Sequence, residues 1–159
     1  MSSTQVTTEA APEAKASTTV AMRFEVTTIP VTDVDRAKAF YERLGWRLDA
    51  DFKFGEHARG VQFTPPGSST SIQFGSGRGR LPGPLERLYL VVDDIEAARE
   101  ELVGRGVEVS EIWHAAPGMS PEAGRDPEGR SYASYASFSD PDGNGWLLQE
   151  VTERLPGRV

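Results

Sequence analysis

Residues 26–49 read VTTIPVTDVDRAKAFYERLGWRLD, and residues 87–110 read RLYLVVDDIEAAREELVGRGVEVS. With Asp33 laid on Asp94, both stretches follow one plan: an apolar β-branched run, an aspartate, a helical stripe, a glycine and a second strand. Asp33 and Asp94 stand where a carboxylate caps the free N–H groups of a starting helix, and Val34 or Ile95 anchors the first turn. Phe40, Tyr41 and Leu44, or Ala97, Ala98 and Leu102, supply an apolar face at helical spacing. Gly45 and Gly106 fall just past each helix, where a left-handed residue ends the turn. The spacing predicts helices over 33–44 and 94–104.

Outward from these anchors, strand-like runs follow at 46–48, 60–63 and 69–74 in the first half, with 52–57 between them. In the second half they follow at 107–113, 131–138 and 146–151, with DPDGNG (140–145) as the last turn. Each half is therefore a βαβββ unit, over about 22–76 and 85–153. One helix cannot cover both faces of four strands, so the α+β fold expected is two βαβββ modules forming a curved eight-stranded mixed sheet around a cavity. Residues 1–21 carry Ser, Thr and Ala with scattered charge and no aromatic residue, the composition of a disordered tail. Residues 22–159 then form a single domain.

The 159 residues include no cysteine, which removes disulfides, thiolate nucleophiles and zinc–thiolate sites. A net charge of −7 offers no positive field to gather phosphates, so nucleic acid is not an expected partner. No apolar run is long enough for a membrane span, and the first residues lack the features of a signal peptide or presequence, so cytoplasmic residence is the default expectation.

The paired VTDVDRAKAFYERLGW and VDDIEAAREELVGRGV, followed by FSDPDGNGWLLQE, resemble the vicinal oxygen chelate superfamily. That group holds glyoxalase I, extradiol dioxygenases, fosfomycin-resistance enzymes and the metal-free bleomycin-binding proteins. The resemblance spans residues 22–155 and implies the fold above, a cavity for a small molecule and a homodimer. In metal-dependent members the ligands are a His or Gln early in each half and a Glu late in each half. Seven positions before Asp33 and Asp94 stand Val26 and Arg87, and three after Asn144 stands Leu147. Valine and leucine have no donor atom and arginine stays protonated, which leaves Gln73 as the one polar survivor. The inherited metal site reads as dismantled, so no metal or other cofactor is expected. A slipped register that recruits Glu25, Glu150 or a histidine to a divalent metal stays as the alternative.

Strand alternation places Thr28, Tyr89, Leu147 and Gln149 on the cavity side with Gln73 and Ser71, and Ile29, Leu88, Leu90 and Val92 toward the helices. One alternating set of Tyr132, Ser134, Ala136 and Phe138 is expected in the same wall. The long irregular stretch 111–135 is expected to form a functional lid, opened by Trp113 and His114. The ligand-binding set is thus Thr28, Gln73, Tyr89, Trp113, Leu147 and Gln149. His114, Tyr89 and Arg87 are the candidate proton-transfer and oxyanion groups. His57, in FGEHARG, reads as a surface residue, and Trp46 and Trp146 as packing. Arg78 and Arg80 belong to an exposed linker. Three functions stay open: a metal-free binder of a small organic molecule, a metal-independent lyase or isomerase acting beside a carbonyl, and a metal-dependent glyoxalase-like lyase or dioxygenase.

Overall fold

The computed structural model describes residues 20–77, 83–116 and 118–155. The tail expectation for 1–19, and Arg78 and Arg80 of the linker, lie outside the described residues. The first half holds β1 (Val26–Thr28), α1 (Val34–Arg43), β2 (Arg47–Phe54), β3 (Ala58–Thr64) and β4 (Ser71–Ser76). The second holds β5 (Leu88–Val92), α2 (Ile95–Gly104), β6 (Trp113–His114), β7 (Glu122–Ala123), β8 (Ser134–Ser139) and β9 (Gly145–Glu150).

The repeat survives down to backbone angles. Asp33 (φ −134°, ψ 106°) and Asp94 (φ −140°, ψ 106°) both cap their helices, accepting from the N–H groups of Arg36 and Ala97 at 3.0 Å. Gly45 and Gly106 sit at φ 79° and 81°, a region costly to any residue with a Cβ. In each half the first strand pairs in parallel with the last, β1 with β4 and β5 with β9.

The expected α+β fold of two paired modules forms, its strands divided between two mixed sheets. The strands form sheet 1, in order β1-β4-β3-β2, and sheet 2, in order β5-β9-β8-β6-β7. Pro30, with no N–H to donate, stops β1 after three residues, and the Pro30 carbonyl is taken by the Asn144 side chain at 2.8 Å. The 107–113 run is also mostly unpaired: only Trp113 and His114 join the ladder, while the Ser110 N–H makes a single bond to the Ser137 carbonyl. Conversely, β2 runs on through Phe54, past a bulge at Asp49 that lets one strand absorb two expected pieces.

A single core joins the halves. Tyr41 of α1 is fully enclosed, its ring 5.1 Å from Trp46, 6.0 Å from Phe63, 5.7 Å from Phe74 and 6.2 Å from Trp146. The Tyr41 hydroxyl donates to Asp140 Oδ2 at 2.7 Å and accepts from Trp146 Nε1 at 3.1 Å, so an apolar core holds a satisfied polar link. Burial pushes the Tyr41 phenol far up, and Asp140 adds to the shift.

The DPDGN turn is the clasp between modules. Asn144, with no exposed surface, donates to Pro30 O and Asp140 Oδ2 at 2.8 Å and accepts from Leu85 N at 2.9 Å. Asp142 Oδ1 accepts from the N–H and hydroxyl of Thr32, at 2.9 and 2.6 Å. Two turn side chains, Asn144 and Asp142, thus tie the second half to the segment between β1 and α1 of the first.

Candidate functional site

Residues directly opposite across a ladder share a face, so the register defines two walls. On sheet 1, Phe63–Ile72 and Val61–Phe74 face the core. The outer face therefore carries one row of Thr28, Gln73, Gln62 and Ala50 and a second of Gly75, Gly60 and Phe52, with Phe54 beyond. Gln73 Nε2 donates to Thr28 Oγ1 at 2.7 Å. Ser71 shares this face but is buried and spends its hydroxyl on Thr64 at 2.7 Å.

Beside that face lies a hollow of about 490 Å³, bounded by Thr28 to Thr32, Gln73 to Gly75, Arg59 and Gly60, Gly83 and Pro84, and Asp142. Gly60 and Gly75 pair across it without side chains. A Cβ on Gly60 would meet only Phe54, at 3.9 Å, so its absence leaves open space.

On sheet 2, Leu90–Leu148–Ala136 faces the core. The outer face holds a row of Tyr89, Leu147 and Ser137 beside a row of Val91, Gln149, Tyr135 and Trp113. Trp113 and Tyr135 stack with ring centroids 5.7 Å apart. The Tyr135 hydroxyl donates to Tyr132 O at 2.6 Å, and Gln149 Nε2 reaches that hydroxyl at 3.3 Å, so the aromatic pair is held in place by its own polar edge. Tyr89 stands 53% exposed in the same wall.

The six ligand-binding candidates thus fall on the two outer faces: Thr28 and Gln73 on sheet 1, Tyr89, Trp113, Leu147 and Gln149 on sheet 2. The three proton-transfer candidates do not come together. Arg87 has a left-handed backbone (φ 58°) just before β5, which breaks its alternation with Tyr89. His114 follows Trp113 in β6 and points to the opposite face, where its ring nitrogen Nδ1 lies 2.7 Å from Gly124 O. A carbonyl only accepts, so Nδ1 carries the proton; Nε2 lies 3.4 Å from Glu122.

Along β8 the expected phase is reversed. Ser134, Ala136 and Phe138 are buried toward the core, and Tyr135 and Ser137 line the outer face instead. The expected lid is a pinned strap. Its β7 extends sheet 2, Arg125 Nη2 meets the buried Glu150 at 2.8 Å, and Asp126 N donates to Ser134 Oγ at 2.9 Å. The Arg130 guanidinium and backbone N–H hold the Asp126 carboxyl well below the usual range. Sequence reading also passes over Phe52 and Phe54 of β2, 60% and 57% exposed; apolar residues two apart on an edge strand are the signal for that patch.

Val26 and Leu147 offer a metal no donor, and among the described residues no three His, Cys, Asp or Glu side chains gather. These residues do not fit a divalent metal. His57 is exposed, and Trp46 and Trp146 are core residues. No helix among the described residues is long and apolar enough to cross a membrane.

The sequence model of the Glyoxalase/Bleomycin resistance protein/Dioxygenase superfamily matches residues 23–148, and the chain belongs to that superfamily. Among solved structures it is similar to TnmS3, an antibiotic binding protein from Streptomyces sp. CB03234, at 32% identity and TM-score 0.62. That match covers 84% of this chain and 98% of the other. It is also similar to a glyoxalase/bleomycin resistance protein from the same Streptomyces, at 33% identity and TM-score 0.58, covering 80% of this chain and all of the other. A superfamily member from Sphaerobacter thermophilus DSM 20745 matches at 31% identity and TM-score 0.58, over 82% and 98% of the two chains. No curated protein matches the chain significantly.

Proposed function

We propose that this chain binds a small organic molecule of antibiotic type, without a metal and without turning it over, between outer faces of this kind. The observation that carries the reading is the wall of Tyr89, Leu147, Gln149, Tyr135 and Trp113: an aromatic platform with a few fixed polar groups, the usual lining of a small-molecule site. His114, the candidate proton carrier, lies on the other face of β6 from this platform. The antibiotic-binding relative at 32% identity supports the same ligand class.

The working unit in this reading is a homodimer. Phe52 and Phe54 on one face and Tyr89 and Val91 on the other leave aromatic and apolar surface facing solvent. A twofold arrangement lays sheet 1 of each subunit over sheet 2 of its partner and covers both at once. Light scattering is expected to give twice the chain mass. Calorimetric titration with a panel of natural-product antibiotics, bleomycin among them, is expected to find a saturable ligand whose affinity Trp113→Ala lowers at least about tenfold. A monomer that binds no panel member refutes the reading.

A further inference from the structure

The outer rows of both sheets, from Thr28 and Gln73 to Phe52 on sheet 1 and from Tyr89 to Trp113 on sheet 2, hold no charged side chain. Along β2 the charges are sent the other way. Asp51 meets Lys38 of α1 at 3.0 Å and Arg59 at 2.9 Å, and Lys53 lies opposite Arg59 in the ladder. Asp51 and Lys53 therefore stand on the helix side, and Phe52 and Phe54 on the outer side. Arg87, which alternation would add to the sheet 2 wall, is taken out of phase by its left-handed backbone. A chain of net charge −7 thus keeps its charges out of these rows.

The polar group within the sheet 2 wall is fixed. Gln149 Nε2 donates to the Tyr132 carbonyl at 3.4 Å and to the Tyr135 hydroxyl at 3.3 Å, which turns Oε1 away from both. That oxygen has no hydrogen-bond partner among the described residues. Tyr132 aims its carbonyl by a left-handed backbone, φ 68°, a costly conformation for a residue with a Cβ. It is pinned there by its N–H on Glu150 O at 2.8 Å and by its hydroxyl, which accepts from Leu155 N at 3.1 Å. Gln73 on sheet 1 is held in a similar way, with Nε2 spent on Thr28 Oγ1 at 2.7 Å.

We propose that the ligand is an uncharged aromatic plane with an N–H or O–H at its edge, the plane beside the Trp113–Tyr135 pair and the edge donating to Gln149 Oε1. This rests on the reading that the outer faces bind a small molecule, and it assigns that molecule a charge and a polar edge. A charged group between such walls gives up water and finds no opposite charge, a loss that a neutral plane avoids. A fixed amide oxygen accepts an N–H or O–H but is left dry and unpaired by an ether edge, so it discriminates between the two. Gln149 is then the specificity residue, and Tyr132 a positioning residue that acts through it.

The test titrates the full chain with four probes of one ring system: 2-naphthol, 2-methoxynaphthalene, 2-naphthoate and protonated 2-naphthylmethylamine. Binding is read by the NMR signals of the Trp113 indole N–H and the Gln149 side-chain amide. The naphthol is expected to bind about fivefold more tightly than its methyl ether, which keeps the oxygen and loses only the donor. It should bind at least about tenfold more tightly than either ion, although the net charge of −7 favours the cation at long range. Gln149→Leu should bring the naphthol down to the level of the ether and leave the ether where it was. The comparison on the unmodified chain decides even if the leucine variant fails to fold. Equal affinities for naphthol and ether, a naphthol preference that survives Gln149→Leu, or tighter binding of either ion overturns the proposal. If the Trp113 signal still moves in those cases, the binding function stands and the assigned ligand class falls. If no probe moves either signal, the ligand class falls as well, and the antibiotic panel decides the binding function separately.

Discussion

Sheets 1 and 2 descend from the same plan, yet their two sides have diverged unequally. Toward the core the rows are interchangeable aliphatic and aromatic side chains: Phe63–Ile72 and Val61–Phe74 in one sheet, Leu90–Leu148–Ala136 in the other. On the outer side, equivalent positions differ in chemistry. Thr28 beside Gln73 in sheet 1 corresponds to Tyr89 beside Leu147 in sheet 2, and a glycine-floored hollow lies on one side against a stacked Trp113–Tyr135 pair on the other. The core rows need only volume and apolarity, so either half satisfies them in the same way. The outer rows are free of that demand, and under the proposed function their difference is where a ligand is recognised.

Severing the halves should give the largest effect. Asn144→Ala strands the Leu85 N–H and the Pro30 carbonyl and should cost about 3 kcal/mol, read by urea unfolding. A loss below about 1 kcal/mol would mean that the modules are held by core packing alone. Next, Tyr135→Ala removes the stacking partner of Trp113 from the outer wall. It should weaken ligand binding about tenfold or more while leaving the fold cooperative. If Phe52→Ser in sheet 1 weakened binding as much with the dimer intact, the aromatic wall would not be the dominant surface.

Acid should affect both halves through the same kind of group. Hydrogen bonds from Arg59 and then Lys38 hold Asp51 of sheet 1 below the usual carboxylate range, as Arg130 holds Asp126 in the strap of sheet 2. A carboxyl whose folded value is depressed stabilises the fold above its unfolded value near 3.9, and that stability is lost as pH falls through the lower folded value. Melting temperatures should therefore drop below about pH 4, and less steeply in Asp51→Asn or Asp126→Asn than in the unmodified chain. An unchanged slope in both variants would remove these pairs from the account. The smallest effect is expected for His57→Ala, an exposed position, within about 0.5 kcal/mol.

What the sequence made legible follows from its fixed points. Asp33, Asp94, Gly45 and Gly106 pin the helices, and the strands next to them inherit a known phase; Ile29, Leu88, Leu90 and Val92 pack on the core as alternation requires. β8 follows a long irregular stretch with no such anchor, and a one-residue error there put Ser134, Ala136 and Phe138 on the wrong side. The positive φ at Arg87 broke the alternation that joined it to Tyr89. The clasp from Asp142 to Thr32 spans 110 positions, and no local pattern announces a contact at that range.

Metal-free recognition on the aromatic wall is the central claim, and Trp113 reports on it directly, because Trp46 and Trp146 are buried in the core. Chain treated with EDTA and dialysed against metal-free buffer should be titrated with the antibiotic panel while tryptophan emission is followed. The account predicts a saturable change with at least one member, unaltered by added zinc, nickel, iron or manganese and absent in Trp113→Phe. Binding that disappears with EDTA and returns with one of those metals would contradict it.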